Sequence, residues 1–199
     1  PWLAMTCAGL DFEEVMVPLR AGEETHLACL AHSPSARVPV LKWGEETIWD
    51  SLAILETIAE RVPRAGLWPE DPAARAHARA ISSEMHAGFM ALRREMPMDF
   101  VTHAPMEEVS PEVAKDISRI VAMWTEARGR FGSGGPFLFG RFSVADAMYA
   151  PVASRFWTYG VDPGLYGDID GVARAYVAAI LDMPEMKAWR LACEAETAA

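Results

Sequence analysis

Arg37-Val38-Pro39 and, further along, Asp50-Ser51 are the residues whose types and spacing could do chemistry. Proline inside a pairing strand is tolerated when its peptide bond is cis or when the strand is an edge. A cis bond would turn the backbone N–H and C=O of Val38 outward, ready for a peptide ligand to add as a strand. An edge-strand proline is the alternative, and the dipeptide alone leaves both open. Asp50-Ser51 ends one predicted strand and opens a helix. Ser51 suits an N-cap, and the unpaired N–H groups of a helix start attract a carboxylate. Arg37 places a fixed positive charge beside Val38. Cys7 is the other reactive group near these residues, but it falls near the end of a short helix, where the dipole disfavours a thiolate. Packing is its expected role.

The rest of the chain offers little else that reacts. Cys7, Cys29 and Cys193 are widely spaced with no CxxC, which fits reduced thiols in a cytoplasmic protein, and no metal-ligand spacing occurs. The 199 residues carry 28 acidic against 18 basic side chains, a net charge of -10 without a basic cluster. Such a surface repels phosphate backbones, so nucleic acid is not an expected partner. No apolar run reaches the roughly 20 residues of a membrane span. With 51% hydrophobic residues, including 11 Met, 7 Trp and 8 Phe, the chain can fill a real core.

Two unlike parts must position the candidate residues. The first is α/β: a helix from Pro1 stopped by Gly9, a strand over Phe12–Val17, a helix over Glu23–His32, short strands at Val38–Leu41 and Glu45–Trp49, and an amphipathic helix over Ser51–Arg61. Pro63, Gly66, Pro69 and Pro72 mark a linker. The remainder reads as helices: one long helix from Ala73 to about Arg94, then Ser110-Pro111 to Phe131, Ser143–Trp157, Val172–Leu181 and Pro184 to about Glu194. The domain boundaries are therefore 1–62, a linker at 63–72, and 73–199.

Arg37-Val-Pro-Val-Leu41, Ile48-Trp-Asp-Ser-Leu-Ala-Ile54, a proline-rich linker and a helical domain together resemble the glutathione transferase family. Phe142-Ser-Val-Ala-Asp-Ala-Met148 resembles that family's buried capping box, with Ser143 as N-cap and Asp146 at N3. The opening Pro1-Trp-Leu-Ala-Met and Asp50-Ser51-Leu-Ala-Ile54 look most like bacterial members related to the zeta class. The resemblance spans essentially the whole chain and implies a thioredoxin-like domain, lacking its first strand in this chain, followed by an all-helical bundle. It implies that glutathione's cysteinyl part is held by the backbone of Val38, its γ-glutamyl carboxylate by Ser51 and the helix start, and its amino group by Asp50. The position of Arg37 is often Gln in the family, so the resemblance leaves its part in binding open.

The second substrate, a small electrophile, is expected in a cleft against the long helix, where Met85, His86 and Phe89 form an i, i+1, i+4 cluster. Glu84 could reach glutathione in a partner subunit, and His103 could line the mouth. In zeta-like members the group that activates glutathione is a serine ahead of the first helix, so no catalytic residue is assigned. A strand before Pro1 would complete a βαβ unit. The natural polypeptide is accordingly expected to extend upstream by on the order of 20 residues at about 3.3 Å each. The implied protein is a cytoplasmic homodimer that uses glutathione as co-substrate for attack on, or isomerisation of, an electrophile. A non-catalytic binder of glutathione or apolar ligands, or a dimeric interaction module of the same fold, is the alternative.

Overall fold

The computed structural model describes residues 1–19 and 22–198 and divides into two compact units, Pro1–Leu67 and the chain from Trp68 onward. In the first unit, α1 (Trp2–Cys7) buries Leu3 and Ala4, and α2 spans Glu23–Leu30. Strands β1 (Val40–Trp43) and β2 (Glu46–Trp49) form an antiparallel hairpin with Val40 opposite Trp49 and Trp43 opposite Glu46. The two-residue turn is Gly44-Glu45, and Gly44 has φ 59°, the positive φ such turns favour at their first central position. Helix α3 (Ser51–Arg61) follows directly and buries Ile54, Leu55 and Ile58, the inward stripe its sequence period requires. At its far end Arg61 pairs with Glu46 and lies over the Trp43 ring at 5.1 Å, fixing α3 to the hairpin.

Phe12–Val17 does not form the expected strand. A strand exists only through a ladder, and this segment pairs with none among the described residues. Its apolar residues run together at Val15-Met16-Val17 instead of alternating, and Val15 and Met16 are each 64% exposed. The segment is tied back to α1 by the Trp2 indole N–H, which donates to Glu14 at 2.6 Å.

The second unit is a helical bundle: α4 (Pro72–Ala87), α5 (Met90–Glu95), α6 (Pro111–Phe131), α7 (Val144–Thr158), α8 (Val172–Asp182) and α9 (Pro184–Ala198). Ser110 caps α6 by accepting the Val113 N–H at 3.2 Å, as its Ser-Pro start predicts. The aromatic core of this unit joins side chains of α6, α7 and α8. Trp124 is fully buried there, with the rings of Tyr149, Phe156 and Tyr176 at 5.5, 5.4 and 4.8 Å.

The single long helix expected over Ala73–Arg94 is broken at Gly88-Phe89. Gly88 ends α4, with its N–H on the Glu84 carbonyl, and Phe89 takes φ 58° before α5 begins. Arg93 secures the break, donating from Nε to the Gly88 carbonyl at 3.0 Å and from a terminal nitrogen to Met85. A cation on the last carbonyls of a helix satisfies acceptors and opposes the dipole. Asp116 of α6 accepts the Leu92 N–H at the start of α5. A Cβ on Gly88 would meet the Glu84 carbonyl oxygen at 2.7 Å, closer than real contacts allow. Gly88→Ala should therefore cost about 1–3 kcal/mol, read as a fall of several degrees in melting temperature. An unchanged melt would mean that alanine lets α4 run on into α5 without strain.

Ser143 and Asp146 close the expected capping box at the start of α7. Asp146 is fully buried and accepts from the Leu138 N–H at 3.0 Å and from the Ser143 N–H and hydroxyl at 2.8 Å each. Burial raises its pKa from 3.8 to about 6, against the pull of those hydrogen bonds. Between these values the folded chain holds a proton that the unfolded chain has released, so stability declines as pH rises through the window. Asp146→Asn cannot ionise. Urea titrations across pH 4–7 should show wild type losing stability relative to this variant, on the order of 2 kcal/mol. Parallel profiles would place the carboxylate's ordinary titration below the window.

Candidate functional site

The hairpin register brings the candidate residues together. Because Val40 faces Trp49, the chain before β1 and the chain after β2 leave the same end of the ladder, so Arg37-Val38-Pro39 lies beside Asp50-Ser51. The Val38–Pro39 peptide bond is cis. Val38 precedes the ladder, its residue is 45% exposed, and no backbone hydrogen bond among the described residues engages it. Its N–H and C=O can meet an extended ligand. Arg37 is exposed next to it.

Ser51 is not the helix cap. The N-cap is Asp50, whose Oδ1 accepts the Leu52 N–H at 2.9 Å while its carbonyl takes the first intrahelical bond from Ile54 at 3.0 Å. Aspartate is as good a cap as serine, and its position at the bend between β2 and α3 decides the matter. Asp50 holds φ 75°, a region that non-glycine residues enter at a cost of order 1–3 kcal/mol. The consequence is chemical: the Ser51 hydroxyl is not consumed by capping, and no hydrogen bond among the described residues engages it. It stands at the positive end of α3 beside N–H groups that have no acceptor within the helix. This corner can receive a carboxylate, with Asp50 next to it for a cationic group.

The other expected residues fall as follows. Cys7 is the last residue of α1 and partly exposed. In the helical unit Met85 and Phe89 are buried, His86 is exposed, and the helix break places Phe89 beyond α4. Glu84 is engaged by Arg119 through two parallel hydrogen bonds of 2.7 and 2.8 Å, which hold its carboxyl below the usual range. His103 lies in the segment 97–110, with Nδ1 2.9 Å from the Trp157 carbonyl. That segment is irregular yet anchored, since Ala104 and Met106 donate their N–H groups to Thr158 and Tyr159.

Sequence reasoning missed Arg155. It reads as a surface arginine near the end of α7 but is only 8% exposed. Its guanidinium donates to the Met96 carbonyl at 2.8 Å and the Pro151 carbonyl at 3.0 Å, and no acid among the described residues pairs with it. Burial, and then the charge of nearby Arg93, lower its pKa. A buried cation is costly, and the two carbonyls offset part of that cost while tying α7 to the chain at Met96. An arginine flanked by the buried positions of α7, from Val152 to Phe156, is the signal that could have found it.

Among the described residues there is no cluster of His, Cys, Asp or Glu able to hold a metal ion, and no helix long and apolar enough to cross a membrane. The model described as glutathione S-transferase, N-terminal domain matches residues 1–61, and that described as glutathione S-transferase, C-terminal domain matches residues 107–190. Maleylacetoacetate isomerase of Rattus norvegicus is 28% identical over 182 residues, covering 88% of this chain and 81% of that protein. A sphingomonad glutathione S-transferase solved in complex with glutathione is 26% identical, with a TM-score of 0.66 over 97% of this chain and 92% of the other. Maleyl pyruvate isomerase, a bacterial zeta-class member, shares the fold at a TM-score of 0.69 and 23% identity, over 93% of this chain and 87% of its own. With the thioredoxin-like hairpin and α3, the helical unit and the buried capping box all in place, this chain belongs to the glutathione S-transferase family.

Proposed function

We propose that this protein is a glutathione-dependent enzyme that directs the glutathione thiolate to attack, or to isomerise, a small electrophile. The observation that carries the reading is the hairpin register, which sets Val38 beside Asp50-Ser51. The backbone of Val38 pairs with the cysteinyl part of glutathione as an added strand. The γ-glutamyl carboxylate takes the Ser51 hydroxyl and the open N–H groups of α3, Asp50 meets the ammonium group, and Arg37 adds positive charge at the edge.

The relative named maleylacetoacetate isomerase supports an electrophile that carries a carboxylate. Of the expected contacts for its carbon skeleton, exposed His86 is the one proposed to touch it, while Met85 and Phe89, both buried, back the end of α4 that carries it. The exposed Val15, Met16, Leu19, Leu27 and Leu30 of the first unit support the homodimer. Calorimetry with glutathione, paired with ultraviolet difference spectroscopy for the thiolate, tests the reading. Saturable binding with a thiolate signal at neutral pH is expected. Binding without that signal would reduce the protein to a glutathione carrier, and no binding would leave only the fold.

A further inference from the structure

The helical unit holds a cavity of about 170 Å³ lined by Phe100, Trp157, Leu181, Met186, Lys187 and Arg190, none of which belongs to the glutathione corner. Its inner wall is apolar: Phe100 is 5% exposed, Met186 is fully buried, and Phe100 meets the Trp157 ring edge-on at 5.9 Å. An apolar cavity of about 150 Å³ is enough for benzene, so this one has room for a single aromatic ring. Ring edges and faces presented at right angles suit an aromatic guest.

The rim is cationic. Lys187 and Arg190 are three residues apart on α9 and therefore share a face. The Arg190 guanidinium carbon sits 4.0 Å from the centre of the Trp157 ring, which fixes the charge against the cavity wall. Both cations have acidic partners, Lys187 with Asp182 and Arg190 with Glu194 at 3.1 Å. Those acids do not line the cavity, and their side chains are 82% and 42% exposed. Exposed ion pairs of this kind hold weakly, so a ligand carboxylate can exchange for them without leaving a buried charge unpaired. We propose that this cavity is a second ligand site, distinct from the glutathione corner, which takes a single-ring aromatic carboxylate: ring against Leu181 and the Trp157 edge, over the Phe100–Trp157 pair, carboxylate bridging Lys187 and Arg190.

Benzoate, benzyl alcohol and benzylamine are the probes, titrated into the whole protein and followed by two-dimensional NMR. Benzoate should shift the Trp157 indole and Phe100 signals saturably, with a dissociation constant on the order of 1 mM or below. The neutral and cationic analogues should bind at least about tenfold more weakly. Arg190→Gln should weaken benzoate about tenfold and leave benzyl alcohol unchanged. Lys187→Gln, on an exposed side chain, repeats the test should the first variant disturb the fold. Glutathione affinity, measured by calorimetry, should be the same in wild type and both variants, which separates this site from the proposed function. Equal affinity for the three probes, preference for benzylamine, shifts confined to other residues, or benzoate binding untouched in both variants would each overturn the assignment.

Discussion

Asp146→Ala should move the urea midpoint of the helical unit down by about 1–2 M, measured at pH 5 by far-ultraviolet circular dichroism. The carboxyl serves two backbone N–H groups, of Leu138 and Ser143, and the Ser143 hydroxyl, all of them buried. Alanine leaves those donors without an acceptor, at about 1–3 kcal/mol for each orphaned group, and a total near 3 kcal/mol is a large share of a stability of about 5–15 kcal/mol. At pH 5 the folded chain holds Asp146 protonated. At pH 8 the wild type also carries the cost of a buried charge, so the penalty of the substitution should be smaller there. Glutathione affinity in the fraction that folds should stay near the wild-type value, because Asp146 lies in the helical unit and the glutathione corner in the other. An unchanged midpoint would mean that water replaces the carboxyl at no cost.

Ser51→Ala should weaken glutathione binding by roughly ten- to a hundredfold. A hydrogen bond to a charged group contributes about 1.5–3 kcal/mol, and 1.4 kcal/mol is about tenfold in affinity. The structure sharpens the experiment. Since Asp50 and not Ser51 caps α3, the variant should melt like wild type in the absence of ligand. Millimolar glutathione should then raise the melting temperature of wild type and barely move that of the variant. Asp50→Ala is the contrast: it removes the cap, costing about 0.5–2 kcal/mol, and leaves alanine at a φ of 75° that suits it poorly. Loss of affinity without loss of stability should therefore mark the Ser51 variant, whereas the Asp50 variant should lose stability and, with the carboxylate that meets the ammonium group gone, affinity as well. A destabilised Ser51→Ala protein with normal affinity would reverse these roles.

Local chemistry made most of the helices legible. Ser110-Pro111 opens α6 and the Ser143–Asp146 spacing opens α7, because a cap is written within a few residues of the end it satisfies. What stayed hidden depends on partners distant in sequence or on competition between neighbours. The break at Gly88 needs Arg93 to reach back to the α4 carbonyls and Asp116 to reach across from α6, and neither contact is visible in a helical period. Phe12–Val17 has the composition of a strand without a ladder to join. Asp50 and Ser51 are both good caps, and only the backbone bend at Asp50 decides between them. Arg155 shows the opposite limit: its residue type suggests solvent, and only the packing around α7 reveals a buried charge.

The turn at Gly44-Glu45 acts as a length gauge for a site it never touches. Side chains alternate strictly along a strand, so a slip of one residue turns every one of them to the other face. Adding or removing a single residue at this turn would carry Val38 out of step with Ser51, even with each residue of the glutathione corner retained. Substitution at the turn is therefore open to any pair that makes the same tight reversal, whereas its residue count is closed. An engineer grafting this hairpin should treat turn length as part of the proposed glutathione site.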